Sequence, residues 1–223
     1  MSPSQQIRPF DGSADGLLVG EGAGAVILKR LADAVRDGDQ VYAVIKGVGV
    51  ASDGRATHVL SPSSQGQIEA LAAAYRDAAI DPDSIGYLEA HGTGTVAGDL
   101  AEMETIREFY GRRGELPPIR AMGSVKSMIG HAMPAAGIAA LIKTTLSLSN
   151  KCLLPSLHCD EPHSGLRDTT FYINRETRPW IHDGSSRPRR AGVNAFGFGA
   201  VSYTHLTLPT IPFECRSRWS PYH

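Results

Sequence analysis

Two histidines, each placed on a glycine-flanked turn, constrain the fold of this chain more than any other feature. The first, His91, follows the short apolar run 85–88 and begins the sequence His-Gly-Thr-Gly-Thr. The second, His131, follows a glycine and comes five residues after Lys126. Two imidazoles and an ammonium group can face one carbonyl or carboxylate together. That combination is suited to stabilising an enolate or a tetrahedral oxyanion.

Strand-like and helix-like segments alternate along the chain, and this alternation favours a layered α/β fold. Apolar or β-branched runs predict strands, and apolar residues at helical spacing predict helices. The predicted strands are residues 24–28, 41–50, 85–88, 171–173 and 191–193. The predicted helices are residues 31–35, 67–79, a helix after Asp99, and 134–148, which is apolar nearly all round and is expected to be central. The clearest loop is 183–188.

The start of the third helix is predicted from a capping box. Asp99 and Glu102 have the spacing at which an N-cap side chain and the residue three positions later satisfy each other's backbone amides. Met103, Ile106 and Tyr110 then form the apolar stripe of the helix.

Composition excludes several classes of protein. With 223 residues and 42% hydrophobic content, the chain can bury a core of its own. A formal net charge of −1 provides no field for nucleic acid or for an anionic membrane surface. The N-terminus lacks signal-peptide features, and the longest apolar run, 133–142, is far shorter than the ~20 residues that span a bilayer. Three cysteines without framework spacing indicate reduced thiols. We therefore expect a soluble cytoplasmic protein without nucleic-acid or membrane partners.

Residues 8–199 resemble the β-ketoacyl synthases, the condensing enzymes of fatty-acid and polyketide assembly, and in particular those of type I polyketide or polyunsaturated fatty-acid synthases. The residues that carry the resemblance are Arg8-Pro9-Phe10-Asp11, 14–16, 20–26, 89–95, 123–131, 155–158, 178–180 and 190–199. The resemblance implies an incomplete thiolase-like layered α/β fold, with the C-terminal half and the end of the N-terminal half. Residues 1–38 would finish the N-terminal ketosynthase half and residues 39–199 would form the C-terminal half.

The family's reaction implies roles for the histidines and the lysine. A malonyl unit loses CO2, and the resulting carbanion attacks an acyl group held as a thioester on a cysteine. The residues matching His91 and His131 stabilise the enolate, and Lys126 tunes the electrostatics of the site, with Glu102 as one candidate carboxylate partner. Because His131 lies three residues before Pro134, at the predicted start of a helix, the positive end of that helix should keep its ring neutral.

The resemblance also implies substrate contacts and partners. Thr93 and Thr95 match residues whose hydroxyls hold the phosphopantetheine arm of an acyl carrier protein, and Phe198 matches the gating phenylalanine of the oxyanion hole. No cofactor or metal is bound directly. The intact enzyme would be a homodimer that includes the missing N-terminal half. The family's cysteine nucleophile lies upstream of both histidines and has no counterpart here, so the chain alone should be inactive.

The residues also allow other interpretations. Each histidine turn could be purely structural, and the fragment could serve only as a scaffold or dimerisation surface. His158, Cys159 and His163 could form a metal site, although no second cluster has zinc-site spacing. The glycine-rich segment 20–24 superficially suggests phosphate binding, but it precedes a predicted strand, so close backbone packing accounts for it better.

The end of the chain departs from the family after residue 199. Residues 200–223 are interpreted as an unrelated tail, and an artefact is the simplest origin. Residues 201–208 could pair weakly as extended chain, whereas the prolines at 209 and 212 argue against a central strand beyond that point. Residues from about 209 onward are expected to pack poorly and to leave a sheet edge exposed.

Overall fold

The chain folds as alternating strands and helices, and the computed structural model describes residues 1–52, 62–114, 117, 119–181, 188–197 and 202–209. The strands are β1 Ala43–Ala51, β2 Tyr87–Glu89, β3 Arg120–Gly123, β4 Cys152–Leu153, β5 Phe171–Ile173, β6 Arg178–Pro179, β7 Ala191–Phe196 and β8 Ser202–Pro209. The α-helices are α1 Leu31–Asp37, α2 Ser64–Ala78, α3 Val96–Phe109, α4 Lys126–Ile129 and α5 Ala136–Ser149. Short 3-10 helices span Pro82–Ser84, Met133–Ala135 and Ser164–Leu166.

The main sheet has the strand order β1-β8-β7-β2-β3-β5, and β4 pairs separately with β6. Strands β7, β2, β3 and β5 are parallel, whereas β8 runs antiparallel to both β1 and β7. Glu89 at the end of β2 is aligned with Gly123 of β3 and with Val193 of β7. The loops that leave these strands therefore begin at the same edge of the sheet.

Both faces of the parallel strands are covered by helices. Leu88 and Met122 pack into one core cluster with residues of α2 and α3. Their neighbours Tyr87 and Ala121 point to the opposite face and pack with Leu148 of α5. Alternation of buried side chains on both faces is the pattern of a parallel sheet between two helical layers. The predicted layered α/β architecture is confirmed.

Most predicted elements are present, but the strand predicted for residues 24–28 is wrong. That segment forms no strand, and Ile27 and Leu28 are 99% and 72% exposed. An apolar run becomes a strand only where a neighbouring strand satisfies its backbone amides and carbonyls. Within the described ranges, no strand lies beside this segment.

Close backbone packing of the segment 20–24 agrees with the structure at Gly20. A Cβ atom there would collide with the backbone carbonyl of Ile129, so only glycine fits. The central helix predicted for residues 134–148 corresponds to α5 and the 3-10 turn before it. Within α5, Leu146 is the one exposed residue. The predicted loop 183–188 lies outside the described residues except for its last position. No helix in the described ranges is long and apolar enough to cross a membrane.

The segment after residue 199 contributes a strand to the middle of the sheet. β8 pairs with β1 along its whole length and with β7 from Ser202 to Thr207. The extended pairing predicted for residues 201–208 is present from Ser202 onward. Pro209 is the last residue of the strand, where a missing amide is tolerated. The rest of the predicted tail, 210–223, lies outside the described residues.

Replacing Thr204 by proline tests whether β8 belongs to the folded core. Thr204 is aligned with Gly49 on one side and with Asn194 on the other, so its amide faces a paired neighbour. Loss of that amide should lower the free energy of unfolding by about 1–3 kcal/mol, measured by urea denaturation. Thr204→Val retains the amide and the β-branched side chain, and should unfold like the unaltered protein. Equal stability of the proline variant would mean that β8 is not an integral strand.

Candidate active site

The predicted catalytic side chains lie at the carboxyl edge of the parallel strands. His91 follows the end of β2 by two residues, and Lys126 begins α4 three residues after β3 ends. Phe196 is the last residue of β7. This edge is where open parallel sheets generally bind ligands, because several strand-following loops meet there.

The turn that carries His91 requires both of its glycines. Gly92 and Gly94 have φ values of +40° and +71°, a region that side chains with a Cβ rarely adopt. A Cβ on Gly92 would also crowd the side chains of Phe10 and Ser124. The turn therefore packs closely against neighbouring chain and holds His91 in place.

Two buried carboxylates hold this turn by its backbone. Glu102 accepts hydrogen bonds from the amides of His91 (2.9 Å) and Gly92 (2.8 Å), and from the Asn194 side chain (3.1 Å). Asp99 accepts from the amide of Gly94 at 3.2 Å and from that of Phe10 at 2.7 Å. Burial raises the pKa of Glu102, and it raises the pKa of Asp99 to about 7.

The capping box predicted for Asp99 and Glu102 is therefore wrong. Helix α3 begins at Val96, before either carboxylate, with Thr95 as its N-cap and no capping side-chain hydrogen bond. Spacing of three residues places the two side chains on one face of the helix as well as in a capping box. Here that face is turned towards the His91 loop, and the carboxylates bind its amides. The predicted apolar stripe Met103, Ile106 and Tyr110 is buried, as expected.

The two imidazole rings lie side by side, with centroids 5.5 Å apart and planes at 81°. Nδ1 of His91 accepts the amide of Phe196 at 3.2 Å and lies 3.3 Å from Nζ of Lys126. Nδ1 of His131 accepts the amide of Met133 at 3.0 Å. With each Nδ1 used as an acceptor, a neutral ring carries its proton on Nε2.

Both rings are held neutral by their surroundings. Burial, Lys126 and the neighbouring imidazole of His131 lower the pKa of His91 well below its usual range. Burial and then Lys126 lower the pKa of His131 to about 4. The sequence predicted a neutral His131 from the helix that follows it. The pKa of His131 is lowered, as that prediction requires, but burial is the main cause. The start of the following 3-10 helix contributes the Met133 amide that donates to Nδ1.

His131 is fixed by its backbone as well as by its ring. Its amide donates to the carbonyl of Leu18 at 2.8 Å, and its carbonyl accepts the amide of Gly20 at 3.0 Å. Val19, which lies in the segment before the predicted domain boundary, therefore forms an isolated parallel β-bridge with His131. This contact ties residues 18–20 to the site.

Lys126 is buried beneath the His91 loop, with 1% of its surface exposed. Its ammonium group donates to the carbonyl of His91 at 2.5 Å. Burial lowers the pKa of Lys126 to about 8, opposed by the charges of Glu102, Glu89 and Asp99. Lys126 forms no ion pair with any residue of the described ranges. Glu102, the predicted candidate partner, therefore acts on it through space, as the largest of the opposing charges.

Of the other predicted site residues, the structure describes Thr93 and Thr95 but not Phe198. The hydroxyls of Thr93 and Thr95 lie 2.8 Å apart, so the two side chains are adjacent on the turn. Phe198 lies outside the described residues. Sequence reasoning missed Phe196, whose ring centroid is 5.1 Å from that of His91 and whose amide sets the His91 tautomer. Its place in the same Asn-Ala-Phe-Gly-Phe-Gly segment as Phe198 was the available signal.

The described residues give no support to the alternative metal site. Within the described part of the chain, no three or more His, Cys, Asp or Glu side chains come together as a possible metal site. Cys159 is 3% exposed, and burial raises the pKa of its thiol to about 12. His163 uses Nδ1 to accept the amide of Gly165. A buried thiol that keeps its proton is a poor nucleophile.

Comparison with known proteins identifies the family. The β-ketoacyl synthase C-terminal domain matches residues 42–160, and the β-ketoacyl synthase N-terminal domain matches residues 1–34. The chain belongs to the β-ketoacyl synthase family.

Among curated proteins, the chain resembles parts of large multidomain synthases. It is 44% identical over 204 residues to a phenolphthiocerol/phthiocerol polyketide synthase of Mycobacterium tuberculosis, covering 91% of this chain and 13% of that protein. It is 40% identical over 215 residues to a polyunsaturated fatty acid synthase of Thraustochytrium, covering 93% of this chain and 8% of that protein. The chain thus spans only a small part of the relatives it matches.

Solved structures confirm the predicted fold class. The ketosynthase from module 6 of the bacillaene synthase of Bacillus subtilis matches with a TM-score of 0.89 and 37% identity, over 95% of this chain and 38% of that one. A ketosynthase domain of oxazolomycin synthesis from Streptomyces albus matches with a TM-score of 0.88 and 36% identity, over 96% and 38%. The chain therefore has the thiolase-like fold of ketosynthases and covers part of the domain.

The protonation state of His131 can be measured directly. We expect long-range 1H–15N spectra of the imidazoles to show His131 as the neutral Nε2–H tautomer at pH 7, with a pKa of about 4. His131→Gln removes its signals and so assigns them. A His131 ring that is doubly protonated at neutral pH would contradict both the burial and the acceptor role of Nδ1.

Proposed function

We propose that this chain supplies the enolate-stabilising part of a ketosynthase that catalyses decarboxylative Claisen condensation. The observation that carries the proposal is the pair of adjacent neutral imidazoles. Both rings use Nδ1 as an acceptor, which leaves Nε2–H as the donor of each. Their centroids are 5.5 Å apart, so both donors can approach the oxygen of one thioester.

The proposed reaction begins with a malonyl thioester carried on an acyl carrier protein. The bond between its α-carbon and its carboxylate breaks, CO2 leaves, and the electron pair forms an enolate on the thioester oxygen. His91 and His131 donate hydrogen bonds to that oxygen and stabilise the charge as it develops. The α-carbon then attacks the carbonyl of an acyl-cysteine thioester, a new carbon–carbon bond forms, and the cysteine leaves as a thiolate.

Lys126 supports this chemistry from beneath the site. Its ammonium group contacts the carbonyl oxygen and Nδ1 of His91. Nε2 of the ring is therefore directed away from Lys126. Its positive charge also disfavours protonation of both imidazoles. Neutral rings are required, because a histidine can donate from Nε2 while accepting at Nδ1 only when it is uncharged.

Family membership supports proposals for the remaining contacts. Thr93 and Thr95 would bind the phosphopantetheine arm through their adjacent hydroxyls, and Phe198 would contribute to the oxyanion hole of the acyl thioester. The proposed partners are an acyl carrier protein, the upstream ketosynthase half and a second copy in a homodimer, all in the cytoplasm. The family matches end at residue 34 and resume at residue 42, which supports the boundary at residue 38.

The chain by itself should not complete the condensation. The family's nucleophile precedes both histidines, and Cys159 is a buried, protonated thiol. Without a cysteine at the position of the family's nucleophile, no acyl-enzyme should form, and the reaction cannot be divided into two steps. Incubation of the 223-residue chain with labelled acyl and malonyl carrier proteins should give neither acylated chain nor β-ketoacyl product. Robust turnover would contradict the division of the site between two segments.

Substitution of the histidines tests their role in an intact ketosynthase that contains this chain. His91→Ala and His131→Ala should each slow malonyl decarboxylation by about 100- to 1,000-fold, because each removes one donor to the enolate. Acylation of the cysteine should be largely spared. Release of labelled CO2 and mass spectrometry of the acyl-enzyme separate the two steps.

A matched control is available at an exposed histidine. His158 has a positive φ of 59°, a conformation that asparagine also tolerates, so His158→Asn should leave both steps unchanged. Equal loss of both steps in the His91 and His131 variants would favour the scaffold interpretation of the two turns.

A further inference from the structure

Glu89 is a fully buried carboxylate that lies beneath the site and takes no part in the proposed chemistry. Oε1 of Glu89 accepts the amide of Val125 at 2.5 Å. Oε2 accepts the ammonium of Lys143 at 2.7 Å and the hydroxyl of Tyr87 at 2.5 Å. Lys143 also donates to the Tyr87 hydroxyl at 3.0 Å, which closes a buried triangle.

Glu89 and two of its hydrogen-bond partners lie on segments that carry or follow the proposed catalytic groups. Glu89 itself lies on β2, two residues before His91. Val125 directly precedes Lys126, at the start of α4. Lys143 lies on α5, the helix that begins shortly after His131. One carboxylate thus connects the three segments whose relative placement sets the distances among the two rings and the ammonium.

The position of Glu89 follows from the alternation of β2. Tyr87 and Glu89 point to the face covered by α5, whereas Leu88 points to the face covered by α2 and α3. Glu89→Leu combined with Lys143→Met would remove both buried charges from this layer. Burying an ion pair generally contributes little net stability, since desolvation of both charges offsets their attraction. The pair therefore calls for an explanation other than stability.

We propose that Glu89 is a positioning residue, which fixes the His91, Lys126 and His131 segments relative to one another through its hydrogen bonds to Val125 and Lys143. This inference rests on the proposed function for its catalytic consequence. Its structural part, the coupling of the Glu89 and Lys143 pair to Lys126, is independent of that function.

The charges around Lys126 give a readout of its coupling to the Glu89 and Lys143 pair that is separate from any change in stability. Lys126 faces the carboxylates of Glu102, Glu89 and Asp99, the ammonium of Lys143, and the two imidazoles. Glu89 raises the pKa of Lys126, whereas Lys143 lowers it. Removing Glu89 should therefore lower the pKa of Lys126, and removing Lys143 should raise it. The two changes have opposite effects although both break the same ion pair.

The test compares Glu89→Gln, Lys143→Met and the double variant in the 223-residue chain. The chain has five lysines, so 13Cε-labelled lysine gives few signals, and Lys126→Met assigns that of Lys126. The pKa of Lys126 should fall in Glu89→Gln and rise in Lys143→Met, and the double variant should lie between them. Shifts of the same sign, or no shift in any variant, would overturn the inference.

The double variant and one further variant, Asp83→Asn, keep the test decisive. A single substitution leaves an unpaired buried charge and can prevent folding, whereas the double variant removes both charges and should fold. If Glu89→Gln does not fold, the Lys126 pKa in the double variant must lie below that in Lys143→Met. Asp83→Asn breaks the ion pair with Arg120 at the opposite end of β3, 2.6 Å long, and should leave Lys126 unchanged. A shift there as large as that in Glu89→Gln would also overturn the proposal.

The catalytic consequence is measured in an intact ketosynthase that contains the chain. Glu89→Gln should lower kcat of malonyl decarboxylation by about tenfold to a hundredfold, since small displacements of catalytic groups have effects of this size. KM should change little, because Glu89 does not contact substrate, and the double variant should recover part of kcat. A change confined to KM would overturn the positioning role. If the enzyme without any substitution shows no decarboxylase activity, the proposed function is refuted. The titration of Lys126 would still test its coupling to Glu89 and Lys143.

Discussion

Parallel pairing of β2 with β3 and β7 is the constraint on which the site depends. Because Glu89 is aligned with Gly123 and Val193, the three strands end at the same level of the sheet. The His91 turn, the Lys126 helix and the Phe196 amide are thereby brought together from segments that lie far apart in the sequence. Helices on both faces exclude water from beneath this edge, so the groups that emerge there interact in a low-dielectric environment.

Burial at that edge also determines the charge states of the site. Desolvation is the main cause of the lowered pKa of both imidazoles, and Lys126 adds to it in each case. Lys126 retains its proton near neutral pH because Glu102, Glu89 and Asp99 oppose the effect of its burial. The buried carboxylates therefore have a double function. They hold the backbone of the loops, and they keep one cation beside two neutral rings.

The sequence indicates which residues come together at this edge better than it indicates how they are held. His91, Lys126 and His131 could be identified from the sequence because they lie in short glycine-rich segments, which are visible without knowledge of long-range contacts. The roles of Asp99 and Glu102 could not, because three-residue spacing serves a capping box and a loop clamp equally well. Likewise, an apolar run such as 24–28 becomes a strand only where a neighbouring strand accepts it, and that depends on tertiary partners. The Glu89 and Lys143 pair is 54 residues apart in sequence and leaves no local signal.

The lowered pKa values of the imidazoles and the raised pKa values of the buried carboxyl groups limit the effect of pH on the stability of the folded chain. Between pH about 4 and 6.5 the unfolded chain binds a proton at His131 that the folded chain lacks, so this group makes stability rise with pH. Asp99 acts in the opposite sense between 3.8 and about 7, because there the folded chain keeps a proton that the unfolded chain has lost. The lowered pKa of His91 and the raised pKa of Glu102 form a second opposing pair. Buried carboxyl groups beside buried imidazoles thus allow the rings to stay neutral without making the folded state strongly sensitive to mild acid.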